Sequence, residues 1–76
     1  MVEYITKKAE EIKFGNNDFI EVARKIAKSE EGENEFISIS RGFFMMDGSK
    51  RYRKSFTVPV QKEVVDFVSE KLKEMM

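Results

Sequence analysis

The sequence predicts an α+β domain: a small antiparallel sheet built on a hairpin of residues 35–46 and 50–58, packed by a C-terminal helix over 59–75. Two segments carry this reading. "EFISISRGFFMM" and "KRYRKSFTV" flank Asp47-Gly48, a dipeptide that accepts the positive φ angles of a tight hairpin turn. "PVQKEVVDFVSEKLKEMM" then spaces its apolar residues at a helical period. Composition agrees: 76 residues, 41% hydrophobic and 12% aromatic, suit one globular domain spanning residues 1–76. That length is near the lower limit for burying a core, so a dimer or an unusually good core is expected.

The first fourteen residues read two ways. Ile5, Ala9 and Ile12 share a helical spacing, whereas Glu11-Ile12-Lys13-Phe14 could form a short strand. Gly15-Asn16-Asn17 breaks the chain next. Residues 18–30 predict a helix, with a strand as the alternative. Asp18 and Glu21 have capping-box spacing, Phe19, Val22, Ala23 and Ile26 share a face, and the Ala and Lys content favours helix. The acidic stretch Ser29–Asn34 reads as a solvated loop.

In the hairpin, a two-residue loop sets Ile39 opposite Phe56, Arg41 opposite Lys54, Phe43 opposite Tyr52 and Phe44 opposite Arg51. One face then holds Ile37, Ile39, Phe43, Met45, Tyr52, Phe56 and Val58, interrupted by Arg41 and Lys54, and is the expected core. The other holds Ser38, Ser40, Gly42, Phe44, Arg51, Arg53, Ser55 and Thr57, and is expected to face water. In the last helix Pro59 suits the first position, where a missing N–H costs nothing. Val60, Val64, Val65, Phe67, Val68, Leu72 and Met75 span about 180°, against about 100° for an ordinary surface helix. Such an arc suits a helix that touches both its own sheet and a partner, or equally one seated deep in a small core.

Several function classes lose their usual residues. Cysteine and histidine are both absent, which removes disulfides, thiolate metal sites and the commonest general base. No glycine-rich phosphate loop, nucleophile elbow or zinc spacing occurs. The expectation is a protein that is not an enzyme, with no catalytic residue, cofactor or metal. The amino-terminal segment has no apolar run of signal-peptide or membrane-span length, so a cytoplasmic protein without a membrane partner is expected. The Lys- and Glu-rich composition is compatible with a thermophilic source.

Charge is unevenly placed. The chain is neutral, with fourteen basic and fourteen acidic residues. Residues 41–54, however, carry five basic residues against Asp47 alone. Arg41, Lys50, Arg51, Arg53 and Lys54 are interleaved with Phe43, Phe44 and Tyr52. A single nucleic-acid strand uses such a surface, stacking bases on aromatic rings while cations take phosphates. The candidate binding residues are therefore Arg41, Phe44, Lys50, Arg51, Tyr52, Arg53 and Lys54. The same cations could instead discourage edge-to-edge pairing or pair with acids of residues 1–40, and Phe44 could be covered by the amino-terminal segment.

Residues 35–72, strand, glycine turn, basic-aromatic strand, "TVP" and helix, resemble the end of several single-stranded nucleic-acid-binding domains. These are the transcriptional coactivators of the four-strand-then-helix type, the plant Whirly proteins and the purine-rich-element-binding repeats. Archaeal single-stranded-DNA-binding proteins that replace OB-fold proteins in some thermophiles are also similar. The resemblance implies a homodimer joined through helices that binds single-stranded DNA or RNA across the basic strands. It also implies two more strands, where the residues favour a helix at 18–30. The alternative function is a small protein-interaction or dimerisation module with no nucleic-acid role.

Overall fold

Four strands in chain order, β1 (Glu3–Phe14), β2 (Asp18–Ser29), β3 (Gly32–Phe44) and β4 (Lys50–Pro59), form one antiparallel meander that leads into α1 (Lys62–Glu74). The structure, a computed structural model, describes residues 1–76. The α+β class and the antiparallel sheet are as expected.

Residues 18–29 form a strand, the alternative to the helix expected over 18–30, and the undecided amino-terminal segment is a strand as well. The reason lies in β2, whose two faces both have work in a sheet. Phe19 and Ala23 are buried on one side, while Ile20 and Val22 lie on the other, beside Ile12 and Ile39. Pairing along both edges of β2 outweighs the helix propensity of Ala and Lys, which is worth tenths of a kcal/mol per residue at most.

The strand that follows Asp47-Gly48 also departs from expectation. The connection is Met45–Ser49, where Gly48 takes φ 90° and the Ser49 N–H donates to Asp47 Oδ1 at 2.9 Å. Arg41 pairs with Lys54, as expected, but the next pair is Gly42 with Tyr52. Arg53 is thus an extra residue, a bulge, and it inverts the faces of everything between it and the turn. Phe43 faces Arg51 and Phe44 faces Lys50, so Tyr52 leaves the expected core face and Arg51 joins it. A second bulge falls at Lys7 in β1. Both sheet edges therefore carry a bulge with a cationic side chain, which discourages strand addition.

The two faces differ in kind. One is floored by Ala23, Ser38, Ser40 and Gly42, with Ser55 and Thr57 beside them across the β3–β4 pairing. Ser38, Ser40 and Ser55 join their hydroxyls at 3.0–3.4 Å. Contrary to expectation this face holds buried residues: Ser38 and Ser40 are covered, and so is Phe19, whose ring lies over Gly42. The opposite face carries Ile12, Ile20, Val22, Ile37, Ile39, Phe56 and Val58, of which Val58 alone is buried.

The helix starts later than expected. Pro59 ends β4, Gln61 occupies the N-cap without a side-chain hydrogen bond, and no helical residue is buried. Its contacts are with β4 only, so it does not pack across the sheet. Glu63 in the first turn and Lys71 and Lys73 in the last suit the helix dipole. A thirteen-residue helix with so little covering is nonetheless marginal by itself.

The chain is consequently flat, 42 × 35 × 17 Å, with a radius of gyration of 14.4 Å against about 11 Å for a compact domain of this length. Its surface of 6553 Å² exceeds by about 1,700 Å² that of a compact monomer of equal mass. Three hydrophobic residues, Phe19, Ala23 and Val58, make up the buried core.

Candidate nucleic-acid interface

The candidate residues gather at the end of the sheet where the β1–β2 and β3–β4 hairpin tips lie side by side. The Phe44 N–H donates to the Asn17 carbonyl at 2.7 Å and fastens one tip to the other. The bulge divides the candidates between the faces. Arg41, Arg51 and Lys54 share the aliphatic face with Phe14 and Phe43. Phe44, Lys50 and Tyr52 share the small-residue face with Phe19, and Arg53 stands between the two sets at the outer edge of β4.

On the aliphatic side the guanidinium groups rest on aromatic rings. Arg41 lies 5.6 Å from the Phe14 centroid and Arg53 lies 5.9 Å from that of Phe43. Arg41, Arg53 and Lys54, with Asp18, line an open groove of about 310 Å³ whose floor includes Gly42. Arg41, Arg51, Arg53 and Lys54 have no carboxylate within 4.0 Å. All four are exposed. Such cations are ready to accept an anion without first giving up a partner.

Lys50 is different. Its ammonium lies against the Glu11 carboxylate and 3.6 Å from Glu21, and its pKa is raised chiefly by the hydrogen bond to Glu11. The Tyr52 hydroxyl donates to Glu21 at 3.1 Å. Glu11 and Glu21 face each other across β1 and β2, so one ammonium serves two carboxylates. Above them Phe19 packs against Phe44 at 5.1 Å and edge-on to Tyr52 at 5.4 Å. Lys13 Nζ sits 4.7 Å from the Phe44 centroid. Phe44 is therefore partly covered by β1 and β2, while the Tyr52 ring remains half open.

Lys13, Phe14, Phe19 and Phe43 are site residues that the sequence pattern does not single out. The first three become visible only once residues 3–29 are recognised as a hairpin whose tip meets the Asp47-Gly48 turn. Phe43 keeps its expected face with Ile37 and Ile39, but the bulge at Arg53 gives it Arg51 in place of Tyr52 as its partner.

No protein-family model, curated protein or solved structure matches the chain. No helix is long and apolar enough to cross a membrane.

Proposed function

We propose that the chain is a non-catalytic protein that binds single-stranded DNA or RNA and acts as a homodimer. The observation that carries this reading is the convergence of Arg41, Arg53 and Lys54 on one groove: Asp18 is the one acid that lines it, and no carboxylate lies within 4.0 Å of any of the three cations. Arg51 adds a fourth unpaired cation on the same face. These four groups take phosphates, and Tyr52 and Phe44, around the edge of β4, offer ring surface to bases. A strand serving both must turn around the rim of a body 17 Å thick. Single strands bend in this way readily, whereas a duplex stays stiff over about 150 base pairs.

Two further points support the reading. The order of four strands followed by one helix is the plan of the families that residues 35–72 resemble. The uncovered aliphatic face and the open flank of α1, where Phe67 and Leu72 are 61% and 63% exposed, suit a second copy. Hiding the excess of about 1,700 Å² on each chain gives an interface in the range of obligate homodimers.

A salt-dependent titration with a fluorescent oligonucleotide tests the binding. Arg51→Ala with Arg53→Ala should weaken the complex and flatten its salt dependence by about 0.7 for each phosphate no longer neutralised. Undetectable binding of the unaltered protein at about 50 mM salt, where this attraction is strong, overturns the reading.

A further inference from the structure

A second cleft, between the two hairpin tips, adjoins the groove of unpaired cations and shares Asp18 with it. It measures about 450 Å³, within the range of ligand sites, and is lined by Lys13, Phe14, Asn16, Asn17, Phe44 and Met45 among others. Its walls are held from both sides. Phe44 N–H to Asn17 carbonyl, at 2.7 Å, ties the tips together, and Met45 exchanges backbone hydrogen bonds with Ser49 and Gly48 at 2.7 and 2.9 Å.

The lining combines apolar, cationic and amide groups with one carboxylate, that of Asp18, which also lines the groove. Phe14, Phe44 and Met45 supply apolar surface. Lys13, 4.7 Å from the Phe44 centroid, places a positive charge beside it. Asn16 and Asn17 supply side-chain amides that take part in no hydrogen bond within the chain. An amide presents a donor beside an acceptor, which is the complement of a nucleobase edge.

Resting on the interface reading above, we infer that this cleft receives one unpaired base of the bound strand and favours adenine. The cleft adjoins the groove through Phe14, whose ring carries Arg41. A strand whose phosphates occupy the groove therefore has a base within reach of the tips. Adenine presents a donor and an acceptor side by side at N6 and N7, so one asparagine amide satisfies both. Guanine presents two acceptors on that edge and offers an adjacent donor and acceptor only at N1 and O6, whereas unpaired adenine offers such a pair on either edge, N6 with N7 or N6 with N1. A pyrimidine ring covers less of Phe44 and Met45. In this assignment Asn16 and Asn17 read the base, while the arginines hold the strand without regard to sequence.

The test compares adenine, cytosine and thymine homo-oligomers of equal length at fixed salt, on the unaltered protein and on Asn16→Ala with Asn17→Ala. The exchange leaves the Asn17 backbone carbonyl, and hence the tie between the tips, in place. The adenine oligomer should bind about tenfold more tightly than the thymine oligomer. The double variant should bring the two within about twofold and leave the salt dependence of thymine binding unchanged. Equal affinity of the unaltered protein for all three oligomers overturns the proposal while leaving the interface standing. So does an adenine preference that survives in the double variant. Absence of binding by any oligomer overturns both.

Discussion

Lys50 of β4 reaches across the sheet to the carboxylate of Glu11 on β1, bridging the intervening strands. Of the five cations between residues 41 and 54 it is the one with an acidic partner, and it has two, since Glu21 lies 3.6 Å away. On the small-residue face, therefore, carboxylates compete with any phosphate for the same ammonium. Glu11→Gln with Glu21→Gln should free Lys50, tighten oligonucleotide binding and steepen its log–log salt dependence by about 0.7, the increment for one phosphate on a single strand. Tighter binding with an unchanged slope would mean that Lys50 touches no phosphate and that the acids act only at long range.

Two ion pairs on opposite faces predict opposite pH limbs. Glu35 accepts from Arg24 at 2.6 Å and from Lys7 at 3.1 Å, and the Arg24 hydrogen bond, followed by that of Lys7, holds its pKa below the ordinary value. A depressed carboxylate contributes stability above its unfolded pKa and loses it as pH falls through the folded one. Lys50 is raised, so its contribution is complete below the ordinary lysine value and fades as pH climbs through the folded one. Thermal midpoints measured against pH should therefore lose part of their acid limb in Glu35→Gln and part of their alkaline limb in Lys50→Met. Both side chains are partly exposed, so each change is small and shrinks in high salt. An unchanged acid limb in Glu35→Gln would show that this pair contributes nothing to folding.

Gly42 and Phe19 pack closely across β2 and β3. Phe19 is the one large side chain that is fully buried, and it lies opposite Gly42 across β2 and β3. A Cβ at position 42 would overlap the Arg51 carbonyl oxygen and come within 2.9 Å of the Phe19 ring. Backbone on one side and the central aromatic on the other leave no room to yield. Gly42→Ala should cost about 1–3 kcal/mol or more, as overpacking does, and lower the thermal midpoint by more than alanine at an exposed lysine or arginine of β4. A variant as stable as the parent would place Phe19 somewhere other than over this glycine.

These residues also show what the sequence can and cannot disclose. The β3–β4 hairpin and the helix are legible because their signals are local: a turn dipeptide and a helical period. β2 misleads because a strand with apolar residues on both faces imitates a helical stripe: Phe19, Val22, Ala23 and Ile26 serve either geometry. Only its neighbours on both edges decide between them. The bulge at Arg53 is equally hidden. One unpaired residue in a run of polar and aromatic side chains changes no pattern, yet it moves Tyr52 to the side of Phe44 and Arg51 away from it. The seven candidate residues do share one end of the sheet; their division between two faces required the register.

The open aliphatic face yields a prediction about assembly. Phe56 is 58% exposed on the sheet and Phe67 61% exposed on α1, although both occupy apolar positions of their elements. One chain buries three apolar side chains, little to set against the conformational entropy of ordering 76 residues. Light scattering after size-exclusion chromatography should return a dimer, and the thermal midpoint should rise with protein concentration, as it does when folding and association are coupled. Phe67→Asp should disrupt the dimer and, because little core remains in the separate chain, abolish cooperative unfolding with it. Phe56→Asp separates the two surfaces: a monomer in both variants assigns the sheet face and the helix to one interface, whereas a dimer that survives Phe56→Asp confines it to the helix. A parent protein that is monomeric and still melts cooperatively at micromolar concentration would overturn the second copy altogether.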